Sequence, residues 1–428
     1  MTSSASALHA HTVEVDLDDD GLPGLLPGLQ PSGVWLREGE GLVGLGIAAA
    51  GRATGERRFS ELADWWETTA QRIQQRESDA EASPAVFASV AYAASSQYVS
   101  RLILPEVLLR RAGRRTWVTT VSQRQRPVEE MLSDHGLRLQ RGRLLRAASS
   151  STAMPAAAQA PGLRSERHYL HAVSAGLSAI AEGTVQKLVL ARDVQVAADS
   201  VIPLGLLLRR LTTDYAGCWT YLVGGDEQAV LGATPEMLVS VRGAEVSSRV
   251  LAGTVDHSAS EHLLDDSKQH HEHDLAVRSL LDQLGRVTET LQAPQRPRVL
   301  ELPNVYHLAS DITGRLARGE DGSLPSPLLV AGQAHPTAAV CGTPTRQADD
   351  LLAVLEGLDR GPFAGPVGWI DAQGNADFGI ALRGGVLEQP DRMRLFAGCG
   401  IVHGSQPEAE LAETRSKLRP MLTALGAG

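Results

Sequence analysis

Apolar and polar positions alternate along most of the first third of the chain, and that alternation predicts strands. Val34-Trp35-Leu36 and residues 42–50 form two apolar runs separated by Arg37-Glu38-Gly39-Glu40-Gly41, which reads as two strands and a turn. Residues 85–92, 100–110 and 115–121 read as successive strands. Their connections are short, which implies antiparallel pairing. Between them the period changes. Residues 59–77 place Phe59, Leu62, Trp65 and Trp66 at helical spacing, with Ser60 as the expected cap. Residues 1–30 are polar, then rich in Gly, Pro and Leu, and are expected to lie loosely on the surface. Residues 147–162 are of low complexity and are expected to form a mobile loop.

Beyond that loop the two periods alternate. Residues 165–182 predict an amphipathic helix ending at Gly183, residues 187–196 a strand and residues 204–213 a helix. Strands are expected at 218–223, 229–241 and 245–250, then a helix at 273–291 and strands around Val299 and Val305. A loop at 331–345 leads to a helix at 349–356. Strands at 366–371, 376–383 and 392–397 follow, the first two joined by a turn at Gln373-Gly374-Asn375. Groups of strands interleaved with long helices predict an α+β fold, with helices packed outside mostly antiparallel sheets.

Composition narrows the function classes. The 428 residues carry a formal net charge of −10, with no dense Lys/Arg block, which argues against nucleic acid as a partner. An acidic chain that takes an anionic substrate must gather positive charge locally. The three cysteines, Cys218, Cys341 and Cys399, are far apart, form no CxxC and sit beside small or apolar residues. They predict buried free thiols in a reducing cytoplasm rather than disulfides or a zinc ribbon. No apolar run is long enough for a membrane span. The first residues lack the basic and apolar regions of a secretory signal.

The richest chemistry lies at the end of the chain, in residues 396–417. An apolar run there is broken by Gly398 and Gly400, where backbone can approach a ligand without a Cβ in the way. A turn follows, then a helical stretch that puts Glu410, Glu413 and Lys417 near one face. Read alone, these three are a solvated helix face or a carboxylate seat for a hard cation such as Mg2+. Glu272, within His270-His271-Glu272-His273-Asp274, is a further oxygen ligand or part of a polar helix start. Lys187 opens an apolar strand, where it either snorkels to solvent or serves as a base in a partly apolar pocket. Glu236 follows Pro235, which displays it at a strand edge as a surface carboxylate or, if desolvated, a general acid. His335 sits in a turn, where it caps or donates to a ligand, and Arg383 ends an apolar strand, well placed for a carboxylate.

In this order the motifs resemble the chorismate-utilising enzymes, which include isochorismate, salicylate, anthranilate and aminodeoxychorismate synthases. The matching segments are Lys187-Leu188-Val189-Leu190-Ala191-Arg192, Gly232-Ala233-Thr234-Pro235-Glu236, Leu251-Ala252-Gly253-Thr254, His271-Glu272-His273, His335-Pro336-Thr337, Ile380-Ala381-Leu382-Arg383 and residues 396–417. The resemblance implies one large domain over residues 31–428, with a divergent part at 31–150, a catalytic part at 165–428 and a cleft between two sheets. It implies Lys187 as the base that activates water, where anthranilate-forming relatives carry glutamine. Ala252 replaces the lysine of aminodeoxychorismate synthases, and Ala339 and His335 replace a threonine and a phenylalanine of salicylate synthases. These differences point to isochorismate synthase. Salicylate synthase and a binding-only homologue are the alternatives. The implied site has Glu236 as acid and Mg2+ on Glu272, Glu410 and Glu413. Gly253, Thr254, His335, Arg383, Gly398, Gly400 and Lys417 would face the substrate, and no glutaminase partner is implied.

Overall fold

The computed structural model describes residues 7–75, 82–146, 153–225, 228–256, 267–302 and 305–427. Two large, mostly antiparallel sheets form its body. Among the described residues one has thirteen strands and the other ten. The first is built around the pair Lys187–Ala198 and Arg392–Ile401, joined along ten residues. The second centres on Glu245–Asp256 against Val305–Leu316 and on Met237–Arg242 against Ala376–Ile380. Trp35, Phe87, Tyr221, Met237 and Val367 form one buried cluster to which both sheets contribute. This is the expected α+β class.

The chain passes between the sheets repeatedly, and the sequence marks where. Gln228–Thr234 belongs to the first sheet and Met237–Arg242 to the second, with Pro235-Glu236 between them. Proline has no N–H to give to a ladder, so pairing stops there and the strand can turn away. Pro105 does the same between Ser100–Leu104 and Val107–Ala112. The expectation of one strand across 100–110 is corrected accordingly. Ala376–Ile380 and Gly384–Gln389 likewise lie in different sheets, and Arg383 between them takes a positive φ of 50°.

Helices cover the outer face of the Lys187 strand pair. Glu166–Ala181 begins where Ser165 Oγ accepts the His168 N–H at 3.2 Å and stops before Gly183, whose φ is 78°. Its buried Tyr169, Ala172, Val173 and Gly176 follow helical spacing. A Cβ on Gly176 would lie 2.7 Å from the Ile401 side chain, so a glycine there lets the helix seat closely on the sheet. Thr345–Leu355 and Pro407–Leu425 pack alongside, and Leu188, Leu190, Leu352, Ile401 and Leu411 close this layer.

Several expectations need correcting. Residues 7–30 are ordered: Leu8–Glu14 is a strand paired on both sides, Gly21–Leu25 is a helix, and Leu22 and Leu26 are buried. Alternate apolar residues in Leu8–Glu14 carried that signal. Ala157–Pro161 adds a strand to the end of the Lys187 strand, while residues 147–152 of the expected loop lie outside those described. The first long helix spans Arg58–Ala70, so Ser60 lies inside it and its hydroxyl donates to Arg57 O instead of capping. The helix expected at 273–291 runs Ser267–Leu284, and the β-rich Thr288–Gln292 is a strand. All three cysteines are buried and free. Among the described residues, no helix is long and apolar enough to cross a membrane.

Candidate active site

The two crossovers that hold Glu236 and Arg383 open onto one cleft. Lys187, Glu236, Gly253, Glu272, Arg383, Gly398, Gly400, Glu410, Glu413 and Lys417 all line it. These residues span more than half the sequence, and the fold converges them in one place. Two expected members stand apart. The side chain of Thr254 lies outside the described residues, though its backbone pairs with His307. His335 is a correction: it is buried between Phe59 and Tyr92, its Nε2 lies 2.9 Å from Tyr92 O, and it does not line the cleft. It sits between the end of the Pro327–Ala334 helix and a proline, which turns it into the apolar core.

Lys187 is 1% exposed, and its Nζ lies 3.0 Å from Glu272 Oε1. The pair rests on Gly400. A Cβ there would stand 2.8 Å from Glu272 Oε1 and 3.1 Å from Lys187 Cε. That is the close approach the glycine run foreshadows.

Glu236 is buried, and burial pushes its carboxyl up to about 7 against the pull of Lys187, a hydrogen bond from the Leu251 backbone, Lys417 and Arg383. A carboxyl poised near neutrality can hold a proton and release it. The crossover itself is braced, since the Glu236 N–H donates to Thr234 Oγ1 at 3.3 Å.

On the facing helix, Lys417 Nζ lies 2.6 Å from Glu413 Oε1 and donates to Gly398 O at 3.0 Å. Burial opposes charge on both partners. For Glu413 the Lys417 ammonium outweighs it and keeps the carboxyl below its ordinary value. For Lys417 the Glu413 carboxylate holds the ammonium above its own. Burial raises the Cys399 thiol well above the usual range, so it stays neutral.

The cluster around Glu272 divides by role. Glu272 reaches the cleft. His273 is buried, with Nδ1 3.1 Å from Ala252 O and Nε2 2.8 Å from Ser310 Oγ, and it fastens the helix to the Glu245–Asp256 strand.

Sequence reasoning missed His307 and Arg360, both of which line the cleft. Burial, with Arg383 and Lys417 nearby, drives the His307 imidazole down to about 3, so it is neutral at working pH, and it hydrogen-bonds the Gly253 backbone. His307 stands in the run Val305-Tyr306-His307-Leu308-Ala309, and nothing in that run alone marks it as a cleft residue.

The donor set suits a hard divalent cation. Three carboxylates from two helices line the cleft, and ligand atoms of Glu410, Glu413 and Cys399 lie within 4.8 Å of one another. Two of the three already face a lysine Nζ, Glu272 that of Lys187 and Glu413 that of Lys417. Leu251, Phe363, Leu382 and Phe396 add an apolar part to the lining, with Phe363 and Phe396 stacked at 5.2 Å. The cleft can therefore seat a small, partly apolar ring bearing carboxylates, with a buried amine and a buried acid inside it.

Comparison with known proteins gives the chain's family. The model of a family described as chorismate binding enzyme matches residues 35–426. Isochorismate synthase DhbC of Bacillus subtilis is 36% identical over 273 residues, covering 60% of this chain and 67% of that protein. Isochorismate synthase MenF of the same organism is 34% identical over 266 residues, covering 60% of this chain and 55% of that one. The chain thus matches between about half and two thirds of the length of these curated relatives. Among solved structures, DhbC of Bacillus anthracis superposes with a TM-score of 0.72 at 25% identity, over 93% of this chain and 97% of that chain. The menaquinone-specific isochorismate synthase MenF of Escherichia coli shares the fold, with a TM-score of 0.77 at 23% identity over 99% and 96% of the two chains.

Proposed function

The chain belongs to the chorismate binding enzyme family, and we propose that it is an isochorismate synthase, converting chorismate to isochorismate with water as the nucleophile. The observation that carries this reading is the presence in one cleft of a buried lysine, Lys187, and a buried carboxyl that burial pushes up to about 7, Glu236. Several relatives at about this identity are named isochorismate synthases, among them enzymes of Bacillus subtilis and Vibrio cholerae.

In the proposed reaction Arg383, Lys417 and the backbone at Gly253, Gly398 and Gly400 hold the substrate's carboxylates. The apolar wall orients the ring and keeps bulk water away from it. Lys187 is the base: its Nζ takes a proton from water as the water oxygen bonds ring carbon 2. The two ring double bonds shift, the bond from carbon 4 to its hydroxyl breaks, and Glu236 gives that hydroxyl a proton so that it leaves as water. One water is consumed and one released, so mass is unchanged. His307 is neutral and fixes the Gly253 backbone beside the substrate. Glu272, Glu410 and Glu413 would hold Mg2+, which when bound offsets the negative charge of a substrate carboxylate.

Water as nucleophile needs no ammonia-donating subunit, so the reading includes no glutaminase partner. It describes a cytoplasmic enzyme whose product would supply menaquinone or catecholate siderophore synthesis. The test is product analysis by chromatography and mass after incubation with chorismate, with and without Mg2+. A Mg2+-dependent isomer of unchanged mass, formed without ammonia, is expected. Salicylate with pyruvate as the main products, or chorismate bound and never turned over, would overturn the reading.

A further inference from the structure

The Lys187–Ala198 strand has an incomplete outer edge. Gly342–Thr343 pairs with its start, at Lys187 and Leu188, and Ala157–Pro161 pairs with its end, from Val194 onward. The Val189 N–H donates to Cys341 O at 2.8 Å. Between the two short partners, the strand's outward backbone groups are taken by side chains. Arg360 Nη2 donates to Val189 O at 2.6 Å, and Glu356 Oε1 accepts the Ala191 N–H at 2.7 Å.

These two side chains are bonded to each other. Arg360 Nε donates to Glu356 Oε2 at 2.9 Å, Nη2 also reaches Glu356 Oε1, and both residues are 4% exposed. Arg360 Nη1 further donates to Val340 O at 2.7 Å, and the guanidinium lies over the Tyr92 ring at 4.5 Å. The residues so gripped are those of the cleft. Lys187, Val189 and Ala191 alternate along one face of the strand into it, and Ala339 and Val340 form another part of its wall. A planar guanidinium can bridge two carbonyls and a carboxylate at once, which a lysine ammonium cannot do with the same geometry.

We propose that the buried Glu356–Arg360 pair is the positioning unit of the site, setting the Lys187 strand against the Ala339–Val340 wall so that the amine meets the reacting centre. Neither residue is a catalytic residue; they act through the backbone of others. The inference rests on the proposed role of Lys187 for its kinetic arm only.

The test uses Arg360→Met, Glu356→Gln, the double variant and Arg360→Lys in the full chain. Removing one partner of a buried ion pair strands the other, whereas removing both charges is often tolerated. Unfolding should therefore move to lower temperature in Arg360→Met and return towards wild type in the double variant. Positioning should not return with it. In the double variant, kcat per folded molecule is expected to stay about tenfold or more below wild type while KM changes less than about threefold, because small misplacements of a reacting group act on rate. Arg360→Lys should keep the charge and the slow kcat.

Hydrogen exchange supplies an arm independent of turnover: residues 187–193 and 337–343 should exchange faster in the double variant, with the helices of the outer layer unchanged. Wild-type protein that makes another product would end the isochorismate synthase reading, and the same variants would be scored on that product. The positioning role is overturned if the double variant recovers both its stability and its kcat, if KM rises by the factor that kcat falls, or if exchange in the two segments is unaltered.

Discussion

Replacing Glu236 by glutamine should abolish turnover and, above neutral pH, make the protein more stable. The carboxyl is 6% exposed, and burial raises it from its ordinary value of 4.5 to about 7. A folded state that binds the proton more tightly than the unfolded chain has its full share of stability from this group below the unfolded value. That share is lost as pH rises through the folded one. The window is thus from about 4.5 to about 7. Two and a half units at about 1.4 kcal/mol each give a total swing of roughly 3 kcal/mol, of which roughly 2–3 falls between about pH 5 and about pH 8. Glutamine keeps the shape and carries no charge to desolvate. The assay is chemical denaturation of wild type and Glu236→Gln at the two pH values, taking the difference between the proteins at each. Other titrating groups are common to both and largely cancel. The variant should gain on wild type by roughly 2–3 kcal/mol as pH rises from about 5 to about 8. The same ionisation should appear in catalysis: if Glu236 is the acid, wild-type kcat falls about tenfold per pH unit above about 7. An unchanged difference between the two proteins across the pH range would mean that Glu236 is not held protonated by burial, and the general-acid argument would fall with it.

Three further outcomes follow from the same geometry. Lys187→Ala should lower kcat by about a hundredfold or more while leaving a folded protein, read by steady-state kinetics and circular dichroism, and near wild-type turnover would remove Lys187 as the base. Gly400→Ala places a Cβ 2.8 Å from Glu272 Oε1 and 3.1 Å from Lys187 Cε. Both are movable side-chain ends, so kcat/KM should fall about tenfold or more with little change in unfolding temperature, and an active Gly400→Ala enzyme would show that the Lys187–Glu272 contact is not required. Exhaustive chelation should abolish turnover and added Mg2+ restore it, with Glu413→Gln weakening Mg2+ binding measured directly by calorimetry, whereas a full rate in chelator would exclude a divalent cation from the reaction.

Much of the second half of the fold was legible because its signals are local. Ser165 and Gly183 bracket a helix through backbone satisfaction at each end, and the apolar run after Lys187 has the composition of a strand buried on both faces. The N-terminal strand escaped because its alternation is short and surrounded by turn-forming residues, and its burial depends on two partners, one of them more than a hundred residues away. The shift of the Ser267–Leu284 helix has a different cause. Gly285 after its last turn is a local stop signal that the expected helix ran through, and Thr288–Gln292 beyond it pairs with Val305–Leu316 as a strand.

The site divides along the same line. Residues whose local sequence already breaks a regular element were readable: Glu236 after a proline, Gly398 and Gly400 inside a strand, and Arg383 at a strand's end. Each break is where the chain leaves one sheet, or where it lets a side chain lie against bare backbone. Such places must exist for a cleft to form between two sheets, since an unbroken ladder leaves no space for a ligand. His335 misled because it has the same outward sign, a histidine before a proline at a helix end, yet its ring turns into the core beside Tyr92. His307 and the Glu356–Arg360 pair were hidden for the opposite reason. His307 lies within the Val305–Leu316 strand and Glu356 and Arg360 lie in the segment after the Thr345–Leu355 helix, and their importance comes from the strand edge and the cations that the fold brings to them. Local irregularity therefore locates groups that face the cleft, while the groups that hold them in place become visible only when the partners of each backbone group are traced.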